Sequence, residues 1–170
     1  LRPQPGGSHA GGLLKQGGVQ AVVGADSLLA EEALERLLAD HLGDSRADAV
    51  TTLRGEETTW ARLLEAVRTG SLFAPKRAVV VRNAERLVGE DEAASRYLDD
   101  PTPGLLLVLL AVKPDKRKTV WKRILERAVV TPADPLKGRA LRAHVQDRVR
   151  RRKLALSEEA LVELLERVGQ

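Results

Sequence analysis

The chain has no cysteine. Disulfides, thiolate metal sites and a cysteine nucleophile are therefore excluded. Aromatics are nearly as scarce, with one Phe, one Tyr and two Trp in 170 residues, so a core must be built from Leu, Val and Ala. Long apolar runs are missing too. The longest, GLLLVLLAV over residues 104–112, falls far short of the ~20 residues a membrane span requires and reads as a buried strand. The opening LRPQPGGSHAGG has no apolar signal-peptide segment, and its Gly and Pro predict a disordered leader or expression remnant over residues 1–18. The first residue is not Met, which reads as a piece of a longer protein. These absences fit a cytoplasmic protein with no membrane partner.

What is present suffices for one domain, or one plus part of another. At 43% hydrophobic and 31% charged residues, the chain can bury a core and stay soluble. Its charge is unevenly spread. Between Lys113 and Lys153 stand fifteen Lys/Arg against four Asp/Glu, a net +11, so in a molecule of +4 the remainder carries −7. A basic last third predicts a surface for a polyanion or an acidic partner.

Periodicity divides the chain into alternating elements. VQAVVG (19–24) reads as a strand, and Asp26 or Ser27 then caps a helix that Gly43 closes. ADAVTTL (47–53) is a second strand. In the next helix Trp60, Leu63, Leu64 and Val67 fall on one face and Gly70 is the stop signal. RAVVVRN (77–83) is the third strand, a polar helix follows around Glu90 to Leu98, and residues 104–112 are the fourth strand. A basic helix with Val120, Ile124 and Ala128 on one face leads to a short fifth strand, Val129 to Thr131. Uniformly apolar strands alternating with helices predict an α/β fold, a parallel sheet of about five strands covered on both faces. After TPADP the period changes to two helices, so a boundary is placed near Asp134: residues 19–134 form the α/β domain and 135–170 an incomplete all-α domain.

Each candidate site in the sequence also has a plainer role. The first strand-to-helix turn, GADSLLAEE, is where a doubly wound fold binds phosphate, but it has one Gly, no Lys and a repelling Asp26. The third strand ends on Asn83 and Glu85 instead of a metal-binding carboxylate pair, and a lone Glu85 reads as solvated. His9, His41 and His144 lie far apart, and His41 suits the last turn of its helix. No cofactor, metal set or catalytic constellation emerges, so no enzyme activity is expected of the chain alone. Lys116, Arg117, Lys118 and Lys122, with Arg150, Arg151 and Arg152, are either solvated helix faces or contacts to DNA or neighbouring subunits. Trp121 either stacks on a base or joins Val120 and Ile124 on the inner face. In GSLFAPKR, Leu72 and the single Phe73, preceded by Ser71, are either a core plug at a turn or an exposed hydrophobic anchor.

The segments GADSLLAEEALERL, RGEETTWARLLEAVRTGSLFAPKRAVVVRNAERL, LLLVLLAVKPDKRKTVWKRIL and PLKGRALRAHVQDRV…LSEEALVELLERVG, in this order, resemble the delta subunit of the bacterial DNA polymerase III clamp loader. The resemblance implies an AAA+-like first domain without a phosphate loop, then the start of a helical lid domain. It implies a non-catalytic subunit of the polymerase III holoenzyme that binds and opens the ring-shaped sliding clamp for loading onto primed DNA. Its partners would be the sliding clamp, other clamp-loader subunits and DNA in the assembled complex. By this resemblance Ser71, Leu72 and Phe73 carry the clamp contact. Where clamp-binding peptides often have an upstream Gln, this chain has Arg68. A degenerate P-loop ATPase and a basic nucleic-acid-binding module are the alternatives.

Overall fold

Seven consecutive apolar residues form β4, Leu105–Ala111, and every one of them is buried. A strand of this kind must be covered on both faces, and the rest of the first unit provides the cover. The computed structural model describes residues 18–43, 49–69, 76–89 and 92–168. The chain divides into two compact units, Leu1–Asp134 and Pro135–Gln170.

In the first unit, β1 (Gly18–Val23), β2 (Val50–Arg54), β3 (Arg77–Arg82), β4 and β5 (Val129–Pro132) make one sheet of order β2-β3-β4-β1-β5. All four pairings are parallel. β1 takes in Gly18, which pairs with Leu106, so the strand begins one residue inside the stretch expected to be leader. Parallel neighbours require crossovers, and α1 (Ser27–Leu42), α2 (Trp60–Arg68), α3 (Glu92–Tyr97) and α4 (Thr119–Arg127) lie in the connections.

Alternation along β4 distributes the core. Leu105, Leu107, Leu109 and Ala111 pack with Trp60, Leu63, Leu64 and Val67 of α2, Ala94 and Tyr97 of α3, and Val120, Trp121 and Ile124 of α4. Leu106, Val108 and Leu110 face the other way, onto Ala33, Leu34, Leu38 and Leu42 of α1. Three helices therefore cover one face and one helix the other. Trp121 is 1% exposed, so its indole belongs to the core and is closed to base stacking. The predicted acidic helix is shorter than expected, and it buries Ala94, Ser95 and Tyr97.

Local signals set the helix ends. Asp26 accepts a hydrogen bond from the Leu29 N–H (3.0 Å), and Gly43, at φ 59°, closes α1 with its N–H on the Ala39 carbonyl. Thr59 caps α2 by accepting from the Arg62 N–H at 3.2 Å. α2 ends at Arg68, and Gly70, the expected stop, lies outside the described residues. Two 3-10 turns, Gly55–Glu57 and Ala84–Arg86, follow β2 and β3.

The second unit holds α5 (Gly138–Arg151) and α6 (Glu158–Val168). Ser157 accepts from the Ala160 N–H at 3.2 Å, and Arg142 pairs with Glu158. α5 has no buried residue, whereas Leu161 of α6 is 3% exposed. Among the described residues, no helix is long and apolar enough to cross a membrane.

Gly24, between β1 and α1, has φ +154°, and a Cβ there would lie 2.1 Å from the carbonyl carbon of Ala133. Backbone cannot yield as a flexible side chain would. Gly24→Ala is expected to cost about 3 kcal/mol in urea unfolding, and a loss under ~0.5 kcal/mol, the usual range for neutral surface changes, would show that the two segments separate freely.

Candidate functional site

In open α/β sheets, ligands bind beyond the C-terminal ends of the strands. Here that crevice is a cavity of about 130 Å³ lined by Gly24, Ser27, Glu31, Arg82, Asn83 and Leu110, among others. Three backbone donors beside it are already engaged. The Gly24 N–H donates to the Ala111 carbonyl (3.0 Å) and the Asp26 N–H to the Ala133 carbonyl (2.8 Å). The Leu29 N–H is taken by the Asp26 carboxylate. The turn is thus packed against the chain that follows β5, and these three N–H groups are not available to cradle a phosphate.

Charges inside the crevice satisfy each other. Arg82, at the end of β3, makes a two-pronged ion pair with Glu31 of α1; the second of its hydrogen bonds measures 2.9 Å. The Arg82 hydrogen bond lowers the Glu31 pKa and the same bond raises that of Arg82, each against a smaller desolvation effect. A bidentate guanidinium–carboxylate pair of this geometry is stronger than a point contact. Beside it, Asn83 adopts a left-handed conformation (φ 53°, ψ 44°) and donates its side-chain N–H groups to both Glu56 oxygens, at 3.1 and 3.2 Å. Glu56 is held below its ordinary pKa by its own backbone N–H first, then by Asn83 and Arg54. Gly55 permits this approach, since a Cβ there would meet the Asn83 carbonyl oxygen at 2.1 Å. Glu85, expected to be solvated, is instead half-buried, with one carboxylate oxygen enclosed and without a hydrogen-bond partner. Among the described residues, no group of three His, Cys, Asp or Glu could hold a metal.

The opposite end of the sheet holds the connection from α2 to β3. Ser71, Leu72 and Phe73 lie outside the described residues. Both flanks are fixed. Thr69 donates from its N–H (2.9 Å) and its hydroxyl (2.7 Å) to the Glu65 carbonyl, closing α2. On the other side, the buried His41 places Nε2 3.1 Å from the carbonyls of both Arg77 and Gly104, joining the starts of β3 and β4. His41 therefore does more than complement a helix end.

The basic residues form two sets, one in each unit. Lys116, Arg117, Lys118 and Lys122 are exposed on α4 and the loop before it. Arg117 is held by Asp115 (3.0 Å), while Arg123 and Arg127 of the same helix pair with Asp99. In the second unit Arg150 and Arg151 pair with Asp147 at 3.8 and 2.7 Å, and exposed Arg152 caps α5. Sequence reading missed Glu31, Arg82 and the two-carbonyl role of His41. Opposite charges at the start of α1 and the end of β3 were the available signal, because a parallel sheet brings both to one edge.

A family model described as DNA polymerase III, delta subunit, matches residues 21–134. Among solved structures, the DNA clamp loader delta protein of Bacillus subtilis is similar in fold, with TM-score 0.69 and 22% identity over 86% of this chain and 47% of that one. A DNA polymerase III gamma subunit-related protein from Thermotoga maritima superposes with TM-score 0.53 and 16% identity, over 78% of this chain and 46% of that one. The chain thus spans about half the length of either protein. No curated protein matches this sequence.

The Glu31–Arg82 pair carries a pH signature. Glu31 sits below its ordinary 4.5 in the folded protein, so the pair stabilises fully above that value and its contribution is lost as pH falls through the folded-state pKa. Its partners are 44% and 39% exposed, so solvent screening limits the effect. Glu31→Gln should cost under about 1 kcal/mol at neutral pH, with the gap to wild type closing in acid. A gap that stays constant down to strongly acid pH would show that Glu31 acts otherwise.

Proposed function

We infer the role of this chain from one premise: it belongs to the DNA polymerase III delta-subunit family. On that reading it is a non-catalytic clamp-loader subunit in DNA replication. It binds the ring-shaped sliding clamp and helps open it for loading onto primed DNA, beside other clamp-loader subunits. Leu72 and Phe73, preceded by Ser71, enter a hydrophobic cleft on the clamp.

The observation that supports this most is where the family match falls. It covers residues 21–134, which include α2, β3 and the connection between them. That connection leaves from a closed helix end and enters a strand tied to its neighbour by His41. An apolar pair on such a mount gains about 25 cal/mol per Å² buried in a partner. Binding of this kind favours whichever clamp state it fits better, and an opened interface is thereby selected. The engaged turn after β1 and the Glu31–Arg82 pair argue against the ATPase alternative. Energy from ATP would then come from other subunits.

The exposed lysines at 116, 118 and 122 favour a second reading, contact with the DNA backbone. It is compatible with the first, and steeply salt-dependent binding of duplex DNA by the isolated chain would single it out.

Two measurements test the main reading. Leu72→Ala/Phe73→Ala should weaken binding to the sliding clamp by at least about thirtyfold while leaving the thermal melt in place. Equal affinity in the folded double variant refutes the contact, and an unfolded variant returns the pair to the core. Magnesium ATP should leave the Tm of the wild type unchanged; saturable stabilisation would restore the nucleotide-binding alternative.

A further inference from the structure

A cleft of about 430 Å³ opens among the C-terminal ends of α2 and α3 and the segment leading into β4. Its lining includes Arg68, Arg96, Tyr97, Asp100 and the rim Pro101 to Pro103. Arg68 is the last residue of α2, and Arg96 lies in the last turn of α3. Both are exposed, and among the described residues neither makes an ion pair.

A cation near a helix C-terminus offsets the negative end of the helix dipole, which accounts for an arginine at each helix end. It does not account for two guanidiniums facing one cleft with no carboxylate on either. The contrast is local. Asp99 takes both Arg123 and Arg127, whereas Asp100, which lines the cleft itself, pairs with neither Arg68 nor Arg96. On the cleft floor, buried Tyr97 accepts a hydrogen bond from the Thr102 N–H (3.3 Å) between two prolines. Two guanidiniums with no ion-pair partner among the described residues, on one open cleft, suit a carboxylate, which each can grip with two parallel hydrogen bonds.

Position supplies the partner. Arg68 stands three residues before Ser71, at most roughly 11 Å along the chain. We propose that this cleft is a second contact for the protein that receives Leu72 and Phe73, with Arg68 and Arg96 clamping one of its acidic side chains. This rests on the sliding-clamp reading. The hydrophobic pair supplies the buried area, and the arginine clamp fixes orientation and speeds encounter with an acidic surface.

The test measures affinity of the 170-residue chain for the sliding clamp at low and moderate salt. Arg68→Ala/Arg96→Ala should weaken binding about tenfold at low salt, with a smaller loss at moderate salt as screening removes the advantage. Arg68→Lys/Arg96→Lys should recover part of the loss, because charge remains while the planar fork is gone. Leu72→Ala/Phe73→Ala, run in parallel, should lose affinity at both salts. Wild-type affinity in the double-alanine arginine variant overturns the cleft proposal and leaves the hydrophobic contact standing. A loss that ignores salt overturns it as well. So does a loss confined to duplex DNA binding, which would assign the cleft to phosphate. A wild type that does not bind the clamp refutes the underlying reading, and the cleft proposal falls with it.

Discussion

The burial of β4 constrains the whole first unit. With every side chain from Leu105 to Ala111 removed from water, the strand needs a neighbour on each edge and a layer on each face. β1 and β3 take the edges. Scarce aromatics then matter, because Leu, Val and Ala fill the interior and the two tryptophans and one tyrosine all serve the face shared by α2, α3 and α4. That face is thick. The other, under α1, is built from aliphatics and alanine and brings the backbone of Ala133 against Gly24. At the first strand-to-helix turn the missing Lys is thus accompanied by close packing of main chain against Gly24.

Elements that rest on periodicity were readable. The face Trp60, Leu63, Leu64, Val67 is buried as its spacing predicts, Asp26 caps α1, and the parallel five-stranded sheet follows from strand composition and alternation. Features made by residues distant in sequence were not. Arg82 and Glu31 are 51 positions apart, and His41 reaches carbonyls 36 and 63 residues away. No local pattern marks such pairs, since the backbone must first bring β1, β3 and β4 into register. Asn83 is intermediate. Its tolerance of left-handed backbone is a residue property, but the close approach of its carbonyl to Gly55, 28 positions earlier, is not local. Of the candidate site residues, the basic ones were legible as exposed cations, while their pairing to Asp115 and Asp147 was not. Ser71, Leu72 and Phe73 gain their role from family resemblance, since composition alone left burial and exposure both open.

The two ends of the sheet now have different chemical characters. At the C-terminal end, Glu31 and Arg82 neutralise each other and the N–H groups of Gly24, Asp26 and Leu29 are engaged. At the N-terminal end, a cleft at the end of α2 carries Arg68 and Arg96, which make no ion pair among the described residues. This asymmetry moves attention from the usual ligand end of an α/β sheet to its opposite edge.

His41 has a mechanical consequence. Along the chain, β3 is the element that follows residues 70–75, so its start receives any pull transmitted from there through the backbone. Without a cross-tie, the start of β3 is the natural place for peeling, one ladder bond at a time. The imidazole fastens Arg77 to Gly104, and the Arg77 N–H donates to the same Gly104 carbonyl at 3.1 Å. The first residue of β3 is thus tied to the residue before β4 twice, once through the imidazole and once directly, so separating the two strands there must break both ties.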